Sequence, residues 1–145
     1  MATLKKWTAI AVVIMAALLT SCQKDEVYQT YVNSYTKDYT VTTKNWQIGT
    51  DDSGNYFYCE IPEPALTDEV YDYGTMQAFI LMDGYNISPL PFNDYWIDEN
   101  NYMWTEQATC EFRPGTVRFI LKYSDHATDV QPSYDTYNFR VRFMW

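Results

Sequence analysis

Short alternating runs, each closed by a turn-forming pair, constrain this chain more than any other feature. Residues 116–123 place Val117, Phe119, Leu121 and Tyr123 on one parity, with Arg118, Ile120 and Lys122 on the other. A period of two belongs to a strand with one face in a core. The end of the chain repeats it, with Tyr137, Phe139, Val141, Phe143 and Trp145 inward against Arg140 and Arg142. Further runs cover 39–43, 56–61 and 102–112, and Asp51 to Asn55, Asp83-Gly84, Asp98 to Asn101 and Pro114-Gly115 supply turns between them. Met76 to Met82 is apolar on both parities and reads as an interior strand covered on both faces. About seven such strands predict an all-β chain, an antiparallel β-sandwich that is immunoglobulin-like in architecture.

Trp46 and Ile48 follow the first run as expected core residues, and that arm should form a hairpin with 56–61. Pro62 and Pro64 end the second arm, because proline donates nothing to a ladder. Residues 65–74 are the one helical candidate after the N-terminal segment. Thr67 suits the N-cap, Asp68 and Glu69 the positive end of the dipole, and Gly74 the position past the end. Residues 88–96 carry Pro89 and Pro91 and belong on a sheet edge. A small membrane barrel is the competing architecture, but most runs are shorter than the ~9–11 residues a spanning strand needs.

The N-terminus carries an address rather than a fold. Lys5 and Lys6 precede an apolar run from Trp7 to Leu19, the layout of a secretory signal. A run of about 13 residues falls short of the roughly 20 that span a bilayer as a helix. Leu19-Thr20-Ser21-Cys22 resembles the bacterial lipobox. That resemblance implies cleavage before Cys22 and a diacylglycerol on its sulfur. Lys24-Asp25-Glu26 resembles the acidic export signal that Bacteroidota-type lipoproteins use to reach the outer face of the outer membrane. The expected organisation is a signal peptide over 1–21, a lipidated cysteine and polar tether over 22–37, and one β-sandwich domain over 38–145. The expected partner at this end is the membrane, through the lipid anchor.

Charge narrows the ligand class. Removing residues 1–21 takes away Lys5 and Lys6 and no acid, leaving 8 basic and 19 acidic residues, a formal charge of −11. Nucleic acid is excluded as a partner, since phosphate backbones require a basic surface. No Lys or Arg lies between Lys44 and Arg113, an interval holding 13 acids, whereas the final third carries Arg113, Arg118, Lys122, Arg140 and Arg142. Cross-strand pairing of an acidic middle with a basic end explains that segregation, and a cation site in the acidic turns is the alternative.

Two cysteines follow Cys22. Cys59 shares its parity with Phe57 and Ile61, and Cys110 with Ala108 and Phe112, so both face the core. A disulfide is chemically permitted outside the cytoplasm. Two buried free thiols behaving as small hydrophobes are equally consistent, because sequence does not supply the Cα separation. The single histidine, His126, lies in a polar loop without metal-ligand spacing, so neither a metal nor a cofactor is expected.

Trp46, the segment Pro64 to Val70, Gly74 with the apolar strand after it, Pro89-Leu90-Pro91 and the closing Phe139-Arg140-Val141 are similar to a set of small Bacteroidota-type surface lipoproteins of no settled activity. That resemblance implies a β-rich fold and carries over no catalytic residues. Ser53, Ser88, Ser124 and Ser133 lie in loops without a nucleophile elbow. Glu60, Glu106 and Glu111 read as solvent-facing on a sheet, where no pair of carboxylates closes on a substrate. The chain therefore reads as a non-enzyme. Tyr85, Tyr95, Trp96, Tyr102 and Trp104 gather around one pair of loops. Aromatic faces at a rim stack on sugar rings or anchor a protein, although β-structure favours aromatics in any case. The expected function is a non-catalytic binding module for an extracellular glycan or a surface protein. A structural subunit of a surface assembly is the alternative, and a hydrolase is the less favoured third class.

Overall fold

Nine antiparallel strands form two facing sheets in the computed structural model, which describes residues 33–83, 86–128 and 131–145. The signal segment, Cys22 and Tyr85 lie outside the described residues. In chain order the strands are β1 (Ser34–Thr42), β2 (Gln47–Asp51), β3 (Gly54–Pro62), β4 (Thr75–Met82), β5 (Asn86–Pro89), β6 (Phe92–Ile97), β7 (Met103–Arg113), β8 (Thr116–Tyr123) and β9 (Thr136–Met144). One sheet has the order β1-β9-β4-β5 and the other β2-β3-β8-β7-β6. The antiparallel sandwich read from alternation is the observed architecture, with nine strands in place of seven.

The two additional strands arise where a single run is divided between sheets. The run through 39–48 breaks at a 3-10 turn, Thr43–Asn45, so that β1 pairs with β9 in one sheet and β2 with β3 in the other. Only β2 forms the expected hairpin with β3. The proline-bearing run 88–96 likewise divides at Leu90-Pro91 into β5, an edge of the first sheet, and β6, an edge of the second. Prolines are tolerated at such edges because no ladder hydrogen bond is lost there. β1 also starts earlier than the expected tether boundary at 37. Ser34 already pairs with Met144, and Tyr35 stacks on Phe143 with ring centroids 5.9 Å apart.

The core lies on the inner parity of the two central strands. Phe119 of β8 and Phe139 of β9 are fully buried and stack across the sandwich, ring centroids 4.1 Å apart and 9° from parallel. Val117, Leu121, Val141 and Phe143 surround them without solvent contact. Three inward or core expectations do not hold. Ile48 is exposed on the edge strand β2, and Trp145, one residue past β9, is 37% exposed. On β4 the outward Phe79 and Leu81 stay partly exposed beside Arg140 and Asn138, because only one face of that strand meets the opposite sheet.

The helical candidate forms as α1 (Asp68–Tyr73). Thr67 Oγ1 accepts from the Val70 amide at 3.3 Å, and the Gly74 amide donates to the Val70 carbonyl at 2.9 Å. A Cβ at Gly74 would stand 2.4 Å from that carbonyl oxygen, so the close approach requires glycine. Leu66 and Val70 plug this end of the sandwich.

The acidic middle does meet the basic end across strands. Arg118 stands between Glu60 and Glu111 in register, 3.5 Å from the Glu111 carboxylate and 4.3 Å over the Tyr58 ring. Lys122 reaches Asp51 at 2.8 Å, whereas Arg140 grips Asp38 of β1, outside the acidic interval, with two bonds of 2.6 and 2.8 Å.

Removing the central stack should cost what deletion of a buried aromatic costs. The substitution Phe139→Ala is expected to destabilise by about 3–5 kcal/mol in denaturant unfolding, and Ile48→Ala by about 0.5 kcal/mol or less. Equal effects would contradict the placement of the core.

Candidate functional site

The hairpin β6–β7 brings three of the five singled-out aromatics together. Trp96 and Trp104 are direct cross-strand partners, 6.4 Å between ring centroids and 11° from parallel. Asp98 Oδ1 closes the connecting turn by accepting from the amides of Asn100 and Tyr102, both at 2.8 Å, and this sets Tyr102 beside Trp104 at 6.2 Å and 25°. The result is a row of near-parallel rings, Trp96, Trp104 and Tyr102, extended by Tyr134 edge-on to Trp96 at 5.3 Å. Tyr95 falls on the opposite parity of β6 and is 78% exposed, away from the row. Tyr85 is outside the described residues.

A cavity of about 360 Å³ opens between this row and the segment after β8. Trp96, Tyr102 and Trp104 line one side, and Tyr123, Asp125, Ala127, Gln131 and Ser133 the other. The Tyr102 hydroxyl donates to Asp125 Oδ2 at 3.3 Å across the opening. The charge of Asp125, with a smaller effect of burial, holds the Tyr102 phenol above its ordinary pKa.

A buried carboxylate fixes the far wall. Glu106, read from sequence as solvent-facing, is 3% exposed and points inward with Ala108 and Trp104. Its parity with Ala108, Cys110 and Phe112 is the signal that places it there. Tyr123 donates to it at 2.5 Å and Tyr137 at 2.9 Å, and the Ser133 amide approaches at 3.4 Å. The same two phenol oxygens accept from the amides of Ser133 and Tyr134, each at 3.2 Å. Ser133, on the cavity wall, and Tyr134 are thereby tied to the core through Glu106. Tyr134 adds a 2.6 Å bond to Asp94 of β6. Sequence reasoning missed Asp125, Gln131, Ser133 and Tyr134 as site residues, because a polar connection carries no period to mark which of its side chains turn inward.

The other end of β8 has a matching arrangement. Glu63, 1% exposed, accepts from Lys37 at 2.9 Å, from the Tyr39 hydroxyl and from the Ala65 amide at 3.1 Å. Burial alone would raise its pKa, but these donors outweigh it and hold the carboxyl below the ordinary glutamate value. Both internal carboxylates are therefore engaged in closing the ends of the sandwich. Glu60 and Glu111 face outward as expected.

Cys59 and Cys110 are both free thiols. Each is the register partner of Phe119, from opposite sides of β8. Two strand spacings put their Cα atoms roughly 10 Å apart, beyond the ~7 Å limit for a disulfide. Of the two readings left open by sequence, the structure selects the unbridged one. Burial pushes both thiols up, so neither is a reactive thiolate. Among the described residues no group of three or more His, Cys, Asp or Glu is placed to hold a metal ion. His126 lies against Gly54, where an added Cβ would come 2.6 Å from Nδ1.

No family model, curated protein or solved structure matches this chain.

Tyr39, Tyr123, Tyr134 and Tyr137 are all held above the ordinary phenol pKa, first by burial and then by a neighbouring carboxylate, Glu63 for Tyr39, Glu106 for Tyr123 and Tyr137, and Asp94 for Tyr134. Above pH ~10 the unfolded chain releases protons that the folded chain retains, so stability falls as pH rises through that value. In an absorbance titration at 295 nm these four phenols should ionise only with unfolding, and Tyr123→Phe should lower the late amplitude by one tyrosine. Ionisation of every tyrosine near pH 10 without unfolding would contradict the network.

Proposed function

We propose that the protein is a lipid-anchored module on the outer face of the outer membrane that binds a glycan without transforming it. The observation that carries the reading is the row of near-parallel rings on one side of a cavity of about 360 Å³. Pyranose rings present C–H faces that stack on such rings, while Asp125, Gln131 and Ser133 on the opposite wall supply hydrogen-bonding groups for hydroxyls. A non-catalytic role is supported by the engagement of Glu106 with Tyr123 and Tyr137, which leaves its carboxyl oriented toward the core network. The anchor rests on the lipobox resemblance at Cys22 and the exterior address on Lys24-Asp25-Glu26.

One observation favours assembly as a second reading. β6 is the outer member of its sheet, and its Tyr95 and Ile97, with Met103 beside them on β7, are 78, 59 and 73% exposed on the outer face of that sheet. An uncovered apolar edge of this kind accepts strands from other chains.

The purified protein is expected to be retained on a broad glycan array, and Trp104→Ala to weaken the retained interaction by about tenfold or more, as loss of a stacking aromatic does. Absence of retention on every glycan would remove the binding reading. Separately, Cys22→Ala should move the protein from the membrane to the soluble fraction. Continued membrane association of that variant would overturn the anchor.

A further inference from the structure

We infer that the cavity between the β6–β7 hairpin and the segment after β8 selects a sugar ring bearing a free, positively charged amino group. The inference deepens the glycan reading and rests on it.

Every charged group the structure places around the cavity has the same sign. Asp125 is on its wall. Asp94 stands behind Tyr134, which packs on Trp96, and Glu106 stands behind Tyr123. Among the described residues no Lys or Arg lines it. The nearest cation in sequence, Lys122, points to the other face of β8 and is held by Asp51 at 2.8 Å. His126, next to Asp125, leans toward Gly54.

The rings reinforce that sign. The face of an aromatic ring is the negative pole of its quadrupole, and an indole face attracts a cation most strongly. Trp96 and Trp104 present two indoles to the cavity, with Tyr102 beside them. A neutral sugar would use the stacking and leave Asp125 without an ionic partner. A uronic acid would set a carboxylate against Asp125 and against ring faces. An ammonium on the stacked ring meets both the faces and the carboxylate, and the surrounding carboxylates lower the cost of bringing it there.

The test compares three probes on the full-length protein by tryptophan fluorescence or calorimetry: a β-1,4-linked glucosamine trimer, the same trimer N-acetylated, and the trivalent polyamine spermidine. The glucosamine trimer is expected to bind about tenfold tighter than the acetylated one. Its affinity should fall with added salt, and Asp125→Asn should abolish the preference for the glucosamine trimer over the acetylated one. Equal or tighter binding of the acetylated trimer overturns the inference and leaves the glycan reading standing. So does a preference that survives in Asp125→Asn, or spermidine binding as tightly as the glucosamine trimer, since charge without a ring would then suffice. Binding of neither trimer overturns the inference alone, whereas the glycan reading falls only with absence of retention on every glycan of the array.

Discussion

The stack of Phe119 on Phe139 is the contact through which the two sheets of this sandwich know each other. Each ring sits on an interior strand of its own sheet, so every other strand is positioned by its register to β8 or β9 or to a neighbour of these. Rings 4.1 Å apart leave no room for a polar atom between the sheets, and the surrounding valines, leucine and Phe143 complete a dry centre. Polar groups are displaced to the two ends as a consequence. At one end α1 and Glu63 close the opening, and at the other Glu106 and its tyrosines do so.

That second closure is what makes a site. Buried carboxylates are costly unless fully hydrogen-bonded, and Glu106 obtains its partners from phenols that are themselves bonded to the backbone at Ser133 and Tyr134. Ser133 and Tyr134, just ahead of β9, are thereby held opposite the aromatic row. The cavity is the space left between them and the row, and its acidic, aromatic character follows from the elements that bound it.

Much of this was legible in local pattern. The inward faces of β3, β8 and β9 follow from alternation at Phe57 and Cys59, at Val117 to Tyr123 and at Tyr137 to Phe143. The cap at Thr67, the stop at Gly74 and the turns at Asp98 and Gly115 follow from residue chemistry that acts within a few positions. The pairing of acidic and basic segments was visible as segregation along the chain, although which partners meet was not. Trp96, Tyr102 and Trp104 were identifiable as a group because they lie in one hairpin. Tyr95 was misplaced with them because proximity in sequence does not reveal on which side of β6 a ring emerges relative to a cavity formed elsewhere.

By itself, the sequence determined the period, the turn positions, the sheet class and the inward faces of β3, β8 and β9, since these depend on contacts within one or two turns of chain. The division of two runs between sheets, the burial of Glu106, the separation of Cys59 from Cys110 by the width of β8, and the wall opposite the aromatic row were decided only by the tertiary structure. Those features depend on which distant strand becomes a neighbour. That choice belongs to the packing of both sheets at once, which no local stretch of residues encodes.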